Sequence, residues 1–245
     1  MKNWDMIIDE LDLSVFETIP SQTSAEDRRS LLAVQRATAR KYKEYTYLEI
    51  GSYLGGTIQP HLVDNRCKRI YSIDPRPVEQ PDDRSPGYIV HYENNSTEKM
   101  LNMLKAIGYG DIGKIECFDV DASQVDSERI KTAPEIMFID GEHTQSSTRS
   151  DFEFCRKVVS ENGVILFHDY TIIYPAVIEI CNLLDRQPIT YVPLKFKGSV
   201  FGIFFDSELV YADPYLHEIW QQAENFESKV GYRQWEPVAI DKILD

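Results

Sequence analysis

Short apolar runs alternate with amphipathic stretches along most of the chain. Apolar runs that end at glycine or polar positions are typical of buried strands, and they predict strands at residues 47–50, 69–73, 114–118, 135–139 and 164–167. Apolar positions at helical spacing predict helices at residues 23–43, 52–65, 96–107, 147–160, 175–184 and 213–226. Because strands and helices alternate repeatedly, the pattern predicts a doubly wound α/β fold, in which helices cover both faces of a mostly parallel sheet.

The C-terminal part of the pattern predicts a hairpin that completes a seven-stranded, Rossmann-like sheet. Residues 189–192 and 200–205 have strand character, and Lys197-Gly198-Ser199 between them is typical of a turn. This hairpin would add an antiparallel strand to the sheet. We therefore expect a single domain over residues 1–245, with three parts along the chain. These parts are a helical cap at 1–44, a Rossmann-like core at 45–206 and a helical tail at 207–245.

Local signals refine several of these elements. Thr23 and Glu26 fit a capping box at the start of the first long helix, after a polar and partly helical lead-in at residues 1–22. Pro175 suits the first turn of a helix. The connection 75–95 is rich in proline and poor in apolar residues, so it is predicted to be a loop without strands or helices. Loops of this length are often functional.

Composition and charge narrow the class of protein. The chain has 245 residues, of which 42% are hydrophobic and 27% charged, as in ordinary globular domains. Its net charge of -14 disfavours nucleic acid and anionic membrane surfaces as partners, since both would repel it. We see no secretion signal and no long apolar span, so we expect a cytoplasmic protein. Four well-separated cysteines are expected to be reduced thiols, namely Cys67, Cys117, Cys155 and Cys181.

A glycine-containing segment follows the first predicted strand. It reads Glu49-Ile50-Gly51-Ser52-Tyr53-Leu54-Gly55-Gly56, and glycines at such a turn let a ligand approach the backbone closely. The second strand ends at Asp74, whose carboxylate can accept ribose hydroxyl protons. No glycine falls two positions after Gly51, which disfavours a dinucleotide pyrophosphate. The negative charge of Glu49 better suits a ligand that carries a sulfonium and an ammonium group.

Two later motifs follow in order along the chain. Phe138-Ile139-Asp140-Gly141-Glu142-His143 closes the fourth strand, and Gly163-Val164-Ile165-Leu166-Phe167-His168-Asp169-Tyr170 closes the fifth. With the glycine segment and Asp74, they make residues 24–206 resemble the class I S-adenosylmethionine-dependent methyltransferases. The chain is most similar to the metal-dependent small-molecule O-methyltransferases of the catechol and macrolide-sugar types. The resemblance implies S-adenosylmethionine as cofactor and methylation of a small-molecule hydroxyl.

The resemblance also implies which residues contact the cofactor. Glu49 would lie near the methionine part of the cofactor, Gly51 and Gly55 would lie along its backbone, and Asp74 would take the ribose hydroxyls. Asp121-Ala122-Ser123-Gln124 matches the family segment beside the adenine. The cofactor-binding residues implied are Glu49, Gly51, Ser52, Gly55, Asp74, Asp121, Ala122 and Asp140.

Asp140, His168 and Asp169 end two strands that we expect to be neighbours, so their side chains should meet at one rim of the sheet. In the metal-dependent relatives the matching positions hold a divalent ion, which implies a metal site formed by these three residues. Mg²⁺ prefers oxygen ligands, whereas His168 stands where relatives have an oxygen ligand. Mn²⁺, Fe²⁺ and Zn²⁺ therefore remain open beside Mg²⁺, because imidazole suits them better.

His143 follows Asp140 at the position where the relatives carry a general base. A neutral imidazole can accept a proton at cellular pH, so we predict His143 and Asp140 as catalytic residues. The metal would lower the pKa of the acceptor hydroxyl, and His143 would take its proton. Aromatic residues in nearby loops are candidates to line the acceptor pocket, namely His91, Tyr92, Tyr170 and Tyr174.

Three alternatives remain at this stage. Cephalosporin-hydroxylase-like proteins share the D-G-x-H and H-D segments on a similar scaffold, and their reaction is oxidative. A non-catalytic module that binds the nucleoside cofactor is a second alternative, which the intact Asp140, His143 and Asp169 disfavour. A nicotinamide oxidoreductase is disfavoured by the glycine spacing. Loops 75–95 and 171–175 and the N-terminal segment would shape the acceptor pocket, and a homodimer is expected by analogy with the relatives.

Overall fold

The computed structural model describes residues 2–230 and 233. In these residues the strands are β1 (Tyr45–Ile50), β2 (Cys67–Ile73), β3 (Glu79–Pro81), β4 (Ile89–His91), β5 (Ile115–Phe118), β6 (Ile136–Ile139), β7 (Val164–Phe167), β8 (Val192–Lys195) and β9 (Phe201–Phe204). The α-helices are α1 (Trp4–Asp9), α2 (Ala25–Tyr42), α3 (Gln59–Val63), α4 (Thr97–Ala106), α5 (Gln145–Val158), α6 (Tyr170–Leu184), α7 (Ser207–Ala212) and α8 (Pro214–Val230). Short 3₁₀ turns lie at Leu13–Phe16, Ile112–Lys114, Ala122–Gln124 and Ser127–Arg129.

Seven of these strands form one sheet in the order β5-β2-β1-β6-β7-β9-β8. Neighbouring strands from β5 to β7 run parallel, while β9 is antiparallel to both β7 and β8. The predicted doubly wound, mostly parallel, seven-stranded sheet with a C-terminal antiparallel hairpin is therefore confirmed.

The central strands end at the same level. Ile50 at the end of β1 pairs with Ile73 of β2 on one side and with Ile139 of β6 on the other. Ile139 in turn pairs with Phe167 at the end of β7. The chain therefore leaves four adjacent strands at one edge, and the strand order reverses between β1 and β6. Ligands of such sheets bind at this edge.

Consecutive apolar residues within a strand pack into two separate cores, one on each face of the sheet. Phe138 faces the core that includes α2 and α4, whereas Met137 faces the core that includes α5 and α6. Side chains along a strand point alternately to the two faces, so a strand covered on both sides needs apolar residues at every position. This explains why the interior strands could be recognised as continuous apolar runs.

The N-terminal segment is more buried than its polar composition suggested. Ile8, Val15 and Phe16 form a third apolar cluster with Leu32 of α2 and Val63 of α3. The expected partly helical character is present in α1 and in the 3₁₀ turn at Leu13–Phe16. This packing brings the residues that precede α2 against the glycine segment after β1.

Two helix starts differ from the sequence prediction. The capping box of α2 is made by Ser24 and Asp27, one residue later than predicted, because each side chain bonds the backbone N–H of the other. The helix expected from residue 52 begins only at Gln59. Gly51, Tyr53 and Gly55 have φ angles of 87°, 41° and 82°, which a right-handed helix excludes.

Two further boundaries lie elsewhere than predicted. The helix expected to start at Pro175 starts at Tyr170, so Pro175 lies inside α6 rather than in its first turn. The strand expected at residues 189–192 is β8, which starts only at Val192. Its ladder with β9 runs from the Val192–Phe204 pair to the Lys195–Phe201 pair, so residues 189–191 precede the sheet. The predicted tail at 207–245 contains α7 and α8, and its residues 231–232 and 234–245 lie outside the described part.

The connection 75–95 is not a plain loop. It contains β3 and β4, which pair as an antiparallel hairpin from Glu79 opposite His91 to Pro81 opposite Ile89. Each strand has only three residues, too few to show an alternating pattern, and proline at an edge position is compatible with such a strand. We call residues 79–91 the β3–β4 hairpin.

Two predictions from composition can be compared with the structure. All four cysteines are free thiols, and Cys67, Cys155 and Cys181 are buried. Among the described helices, none combines the length and the apolar character needed to cross a bilayer.

A buried ion pair joins the N-terminal cap to the C-terminal helices and generates a stability prediction. Arg36 of α2 donates to both carboxylate oxygens of Asp213 at 2.7 Å, and Asp213 also accepts from backbone N–H groups at the start of α8. Replacing Asp213 by Ala should lower the free energy of unfolding by about 3–5 kcal/mol, because Arg36 is left buried without a counter-charge. Urea denaturation measures this change.

The matched control is the exposed pair between Arg29 and Glu26, whose side chains are 39% and 47% exposed. Replacing Glu26 by Ala should change the unfolding free energy by less than about 1 kcal/mol. Equal effects of the two substitutions would contradict the role given to Asp213.

Candidate active site

Three neighbouring cavities open at the carboxyl edge of the sheet. The β5-side cavity has about 470 Å³ and is lined by residues after β1, β2, β5 and β6 together with α5. The glycine-loop cavity is much smaller, about 40 Å³, and lies against residues 51–57. The β7-side cavity has about 340 Å³ and is lined by Gln22, Arg84, Tyr88, Val90, Tyr92, Asp140, His143, His168 and Asp169. The glycine-loop cavity shares lining residues with both others, so the three lie side by side, and we call them together the groove.

Gly51 is required by a close approach between two strand ends. A Cβ at this position would lie 2.1 Å from the carbonyl oxygen of Asp140. Gly55, at φ 82°, faces α4 instead, where a Cβ would meet Met100 and Leu104 at 3.1–3.2 Å. Gly51 lines the groove as predicted, whereas the contacts of Gly55 are with the helix layer.

Glu49 lies beneath the groove rather than in its wall. Its side chain is fully buried and accepts hydrogen bonds from Tyr47 at 2.7 Å and from Thr57 at 2.6 Å. Burial is the largest influence on this carboxyl group and raises its pKa to about 8. Thr57 does line the glycine-loop cavity, so Glu49 acts on the groove through that hydroxyl.

Asp74 lines the glycine-loop cavity, but its carboxylate already has several partners. It accepts from the backbone N–H groups of Tyr53 and Arg76, both at 2.8 Å, and the Arg76 guanidinium lies 3.2 Å away. A carboxylate offers about four lone-pair sites, so little capacity remains for two ribose hydroxyls unless Arg76 moves. Ser52, the other predicted contact here, accepts from Ser72 at 2.8 Å and also lines the cavity.

The predicted adenine segment lies in the wall of the β5-side cavity. Asp121, Ala122 and Ser123 all line it. The structure adds Asp151, a buried carboxyl on α5 that sequence reasoning did not single out. Its position on an amphipathic helix gave no signal, because the pattern of α5 does not show which residues reach past the sheet edge.

His143 is held at one ring nitrogen and faces the β7-side cavity with the other. Nδ1 lies 2.9 Å from Oδ2 of Asp82, while Nε2 lies 3.3 Å from Asp169 and 3.7 Å from Asp140. Nε2 is buried and has no hydrogen-bond partner among the described residues. Burial lowers the pKa of His143, but the neighbouring carboxylates of Asp140, Asp169 and Asp82 more than offset this, so the pKa is raised above its usual range.

His168 is buried between two carboxylates. Nδ1 lies 2.9 Å from Oδ1 of Asp140, and Nε2 lies 3.5 Å from Oδ2 of Asp27 at the start of α2. Burial lowers the pKa of His168, yet the adjacent carboxylates raise it well above the usual value. Burial also raises the pKa of Asp140, but His168 and His143 outweigh that effect and hold it below the usual range. His168 is therefore the cation of a buried Asp–His–Asp arrangement.

This arrangement does not fit the predicted metal site. Among residues 2–230 and 233, no group of three or more His, Cys, Asp or Glu side chains is arranged to hold a metal ion. The physical reason is visible at His168, because each of its ring nitrogens faces a carboxylate and one of these carboxylates is Asp140. Asp140, His168 and Asp169 are brought together as predicted, but as ion-pair partners.

Of the four residues predicted to line the acceptor pocket, only Tyr92 lines the β7-side cavity. Tyr92 lines both the glycine-loop and the β7-side cavities. His91 is exposed and pairs with Glu79 across the β3–β4 hairpin. Tyr170 is buried with its ring stacked on Phe201, and Tyr174 packs against the same core. His91 and Tyr92 differ because adjacent side chains along an extended chain point to opposite faces.

Sequence reasoning missed the residues that hold His143. Arg84 donates to both oxygens of Asp82 at 2.8 Å, and the Asp82 carboxylate in turn lies against His143. Asp83 adds a second tie, because its N–H donates to the carbonyl of His143 at 3.0 Å and its carboxylate accepts from the N–H of Gln145. The charged run Asp82-Asp83-Arg84 is visible in the sequence. Its contact with His143 could not be predicted, because the two lie about 60 residues apart in the chain.

Comparison with known proteins agrees with the fold and the motif order. A family model described as a methyltransferase domain matches residues 48–170. This match spans half of the chain. The chain therefore belongs to this methyltransferase family, and the predicted membership in the S-adenosylmethionine-dependent class is confirmed.

Individual relatives are more distant. An uncharacterized protein of Acanthamoeba polyphaga mimivirus is 26% identical over 160 residues, which cover 63% of this chain and 66% of that protein. The chain thus spans slightly less than two thirds of that relative's length.

Solved structures share the fold at low sequence identity. The O-methyltransferase NovP is 17% identical with a TM-score of 0.56, covering 82% of this chain and 97% of NovP. The calicheamicin methyltransferase CalS11 is 13% identical with a TM-score of 0.52, covering 83% and 93%. MycE from the mycinamycin pathway, in complex with Mg and SAH, is 15% identical with a TM-score of 0.50, covering 82% and 55%.

The side-chain pairing at the β7-side cavity generates a prediction about metal binding. Titration of the protein with Mn²⁺, followed by electron paramagnetic resonance, should show no saturable site, because Asp140 and His168 are already paired with each other. The control is the Asp140→Asn variant, which should give the same titration curve as the wild type. A saturable Mn²⁺ signal that disappears in Asp140→Asn would contradict this and restore the metal site.

Proposed function

We propose that this protein transfers a methyl group from S-adenosylmethionine to a hydroxyl group of a small molecule, with His143 as the general base. The observation that carries the proposal is the state of the His143 ring. One nitrogen is held by Asp82, while the other has no hydrogen bond among the described residues and lies beside the carboxylates of Asp140 and Asp169, and the His143 side chain lines the β7-side cavity. A general base needs this arrangement, in which one nitrogen fixes the ring and the other meets the substrate proton.

The chemistry of the groove supports a cationic cofactor. The walls of the β5-side cavity carry the acidic residues Glu79, Asp121, Glu142 and Asp151, and none of the described Lys, Arg or His residues lines it. A phosphate-bearing dinucleotide would be repelled there. Gly51 lines both the glycine-loop and the β5-side cavities, so a ligand there would lie directly against the backbone of the loop. When bound, the cofactor supplies an electrophilic methyl group on a sulfonium.

The residues of the β7-side cavity each have a part in the reaction. The hydroxyl of the acceptor donates its proton to Nε2 of His143, which makes the oxygen nucleophilic. Asp82 fixes the ring and stabilises the imidazolium that forms, while Arg84 holds Asp82 in place. Asp140 and Asp169 lie beside the same ring nitrogen and add to this stabilisation.

The acceptor class follows from the cavity. Its volume of about 340 Å³ suits a small molecule, and its wall combines the aromatic Tyr88 and Tyr92 with the polar Gln22. The β3–β4 hairpin covers it and limits access of water to the reacting atoms. The similarity to the O-methyltransferase NovP and to MycE, whose structure holds Mg and SAH, supports the same class of reaction here. A cytoplasmic location and a homodimer remain predictions from the sequence.

Methyl transfer from radiolabelled S-adenosylmethionine to a panel of sugar and phenolic hydroxyl compounds tests the proposal. In the His143→Gln variant, kcat should fall by roughly 10²-fold or more, because glutamine is polar but cannot accept the proton. Affinity for S-adenosylhomocysteine, measured by calorimetry, should change little.

The control is His91→Ala, which removes an exposed histidine of the β3–β4 hairpin and should leave kcat unchanged. If the wild-type protein bound neither S-adenosylmethionine nor S-adenosylhomocysteine, the proposed function would be wrong. Wild-type turnover in His143→Gln would remove His143 as the base.

The raised pKa of His143 generates a pH prediction. Only the neutral ring can accept a proton, so kcat/KM should rise with pH and level off, with a midpoint above the ordinary histidine value of 6.5. The direction follows from the neighbouring carboxylates, which favour the protonated ring and delay its deprotonation. The pH profile of kcat/KM checks this, and a midpoint below 6.5 would count against it.

A further inference from the structure

The ends of the groove can be assigned to the two ends of the cofactor, and this step rests on the proposed function. The transferable methyl group has to face His143 in the β7-side cavity. The glycine-loop cavity adjoins that cavity at Gln22, Tyr92 and Asp140, and it adjoins the β5-side cavity at Gly51 and Gln80. The nucleoside end of the cofactor then lies in the β5-side cavity, which is the farthest from His143.

The carboxyl group of Asp151 lies in the β5-side cavity without a hydrogen-bond partner among the described residues. Asp151 on α5 is only 9% exposed, and it forms no hydrogen bond with the described residues. Its Oδ2 atom lies 3.4 Å from the point where a Cβ on Gly141 would stand, so the carboxyl group sits against the bare backbone after β6. The Asp151 oxygens are not among the fully enclosed polar atoms without a partner, so they open to the cavity, where a ligand can hydrogen-bond to them.

The surroundings of Asp151 favour its neutral form. Asp121 after β5, Glu142 after β6 and Glu79 of β3 line the same cavity, and the buried thiol of Cys155 lies one helical turn away on α5. Burial is the main influence on Asp151, and together with Asp121 and Glu142 it raises the pKa to about 7. A neutral carboxyl group offers one donor and one acceptor side by side, whereas a carboxylate only accepts.

We propose that the Asp151 carboxyl group recognises the adenine base of the cofactor. It accepts a hydrogen bond from the exocyclic amine and donates one to an adjacent ring nitrogen. Adenine presents an amine donor beside an unprotonated ring-nitrogen acceptor, unlike guanine and uracil, and the donor–acceptor pair on neutral Asp151 is complementary to it. Asp151 is thus a specificity residue for the nucleobase, on a helix that carries none of the reacting groups.

Calorimetric titration with S-adenosylhomocysteine tests this with two substitutions at one position. Asp151→Asn keeps a donor and an acceptor in the same shape, so its affinity should stay within about twofold of the wild type near neutral pH. Asp151→Leu keeps a side chain branched at Cγ but removes both hydrogen-bonding groups, so its affinity should fall roughly tenfold or more. Glu153→Ala is the control, since Glu153 is an exposed residue of the same helix away from the cavity lining and should have little effect.

Two further measurements distinguish recognition of the base from a general structural effect. An analogue of S-adenosylhomocysteine with purine in place of adenine lacks the amine, and this loss should weaken binding to the wild type but not to Asp151→Leu. Raising the pH from 6 to 8 (a range of about one unit either side of the pKa) should weaken binding to the wild type relative to Asp151→Asn, because the ionised group can no longer donate.

The outcomes separate the two proposals. If the wild-type protein does not bind S-adenosylhomocysteine at all, the proposed function fails. If it binds and Asp151→Leu binds equally well, only the recognition role of Asp151 fails. Loss of binding in Asp151→Asn as large as in Asp151→Leu would also overturn the role, since it would mean that the ionised carboxylate is required. Thermal unfolding of each variant verifies that the fold is intact.

Discussion

The close approach of β1 and β6 at their carboxyl ends is the constraint on which the site depends. Ile50 pairs with Ile139, and the N–H of Asp140 donates to the carbonyl of Ile50 at 2.8 Å. The chain after β1 can turn away only because Gly51 has no side chain to collide with the Asp140 backbone. The glycine loop and Asp140 therefore lie side by side, and the three cavities form around this contact.

The two histidines of the site are held by carboxylates from distant elements. Asp27 caps α2, accepts from the N–H of Ser199 at 2.7 Å and faces His168, so it ties the N-terminal helix to the sheet edge. Asp82 of the β3–β4 hairpin holds His143 in the same way. Because Asp82 belongs to the β3–β4 hairpin, whose residues also line the β7-side cavity, the same segment forms the cavity wall and holds His143. Neither histidine would keep its position without the other elements in place.

Much of the fold could be predicted from the sequence, because burial on both faces leaves continuous apolar runs and topology rules then order the strands. The errors fell where local pattern is weak. Three-residue strands such as β3 are too short to alternate, and the positive φ of Tyr53 delayed a helix that the apolar spacing favoured. Pro175 is tolerated inside α6, so its preference for a first turn was overridden by packing of that helix against the sheet.

The sequence by itself determined the class of fold, the level edge of the sheet and the set of residues that end its strands, including Gly51, Asp74 and Asp140. Only the tertiary structure decided how these side chains pair, that His168 binds carboxylates instead of completing a metal site, and that Asp82 and Asp151 belong to the groove. The physical reason is that local patterns and long-range contacts carry different information. Periodicity records which residues are buried and which way a strand runs, whereas the partner of a buried charge is set by elements that pack together from far apart in the chain.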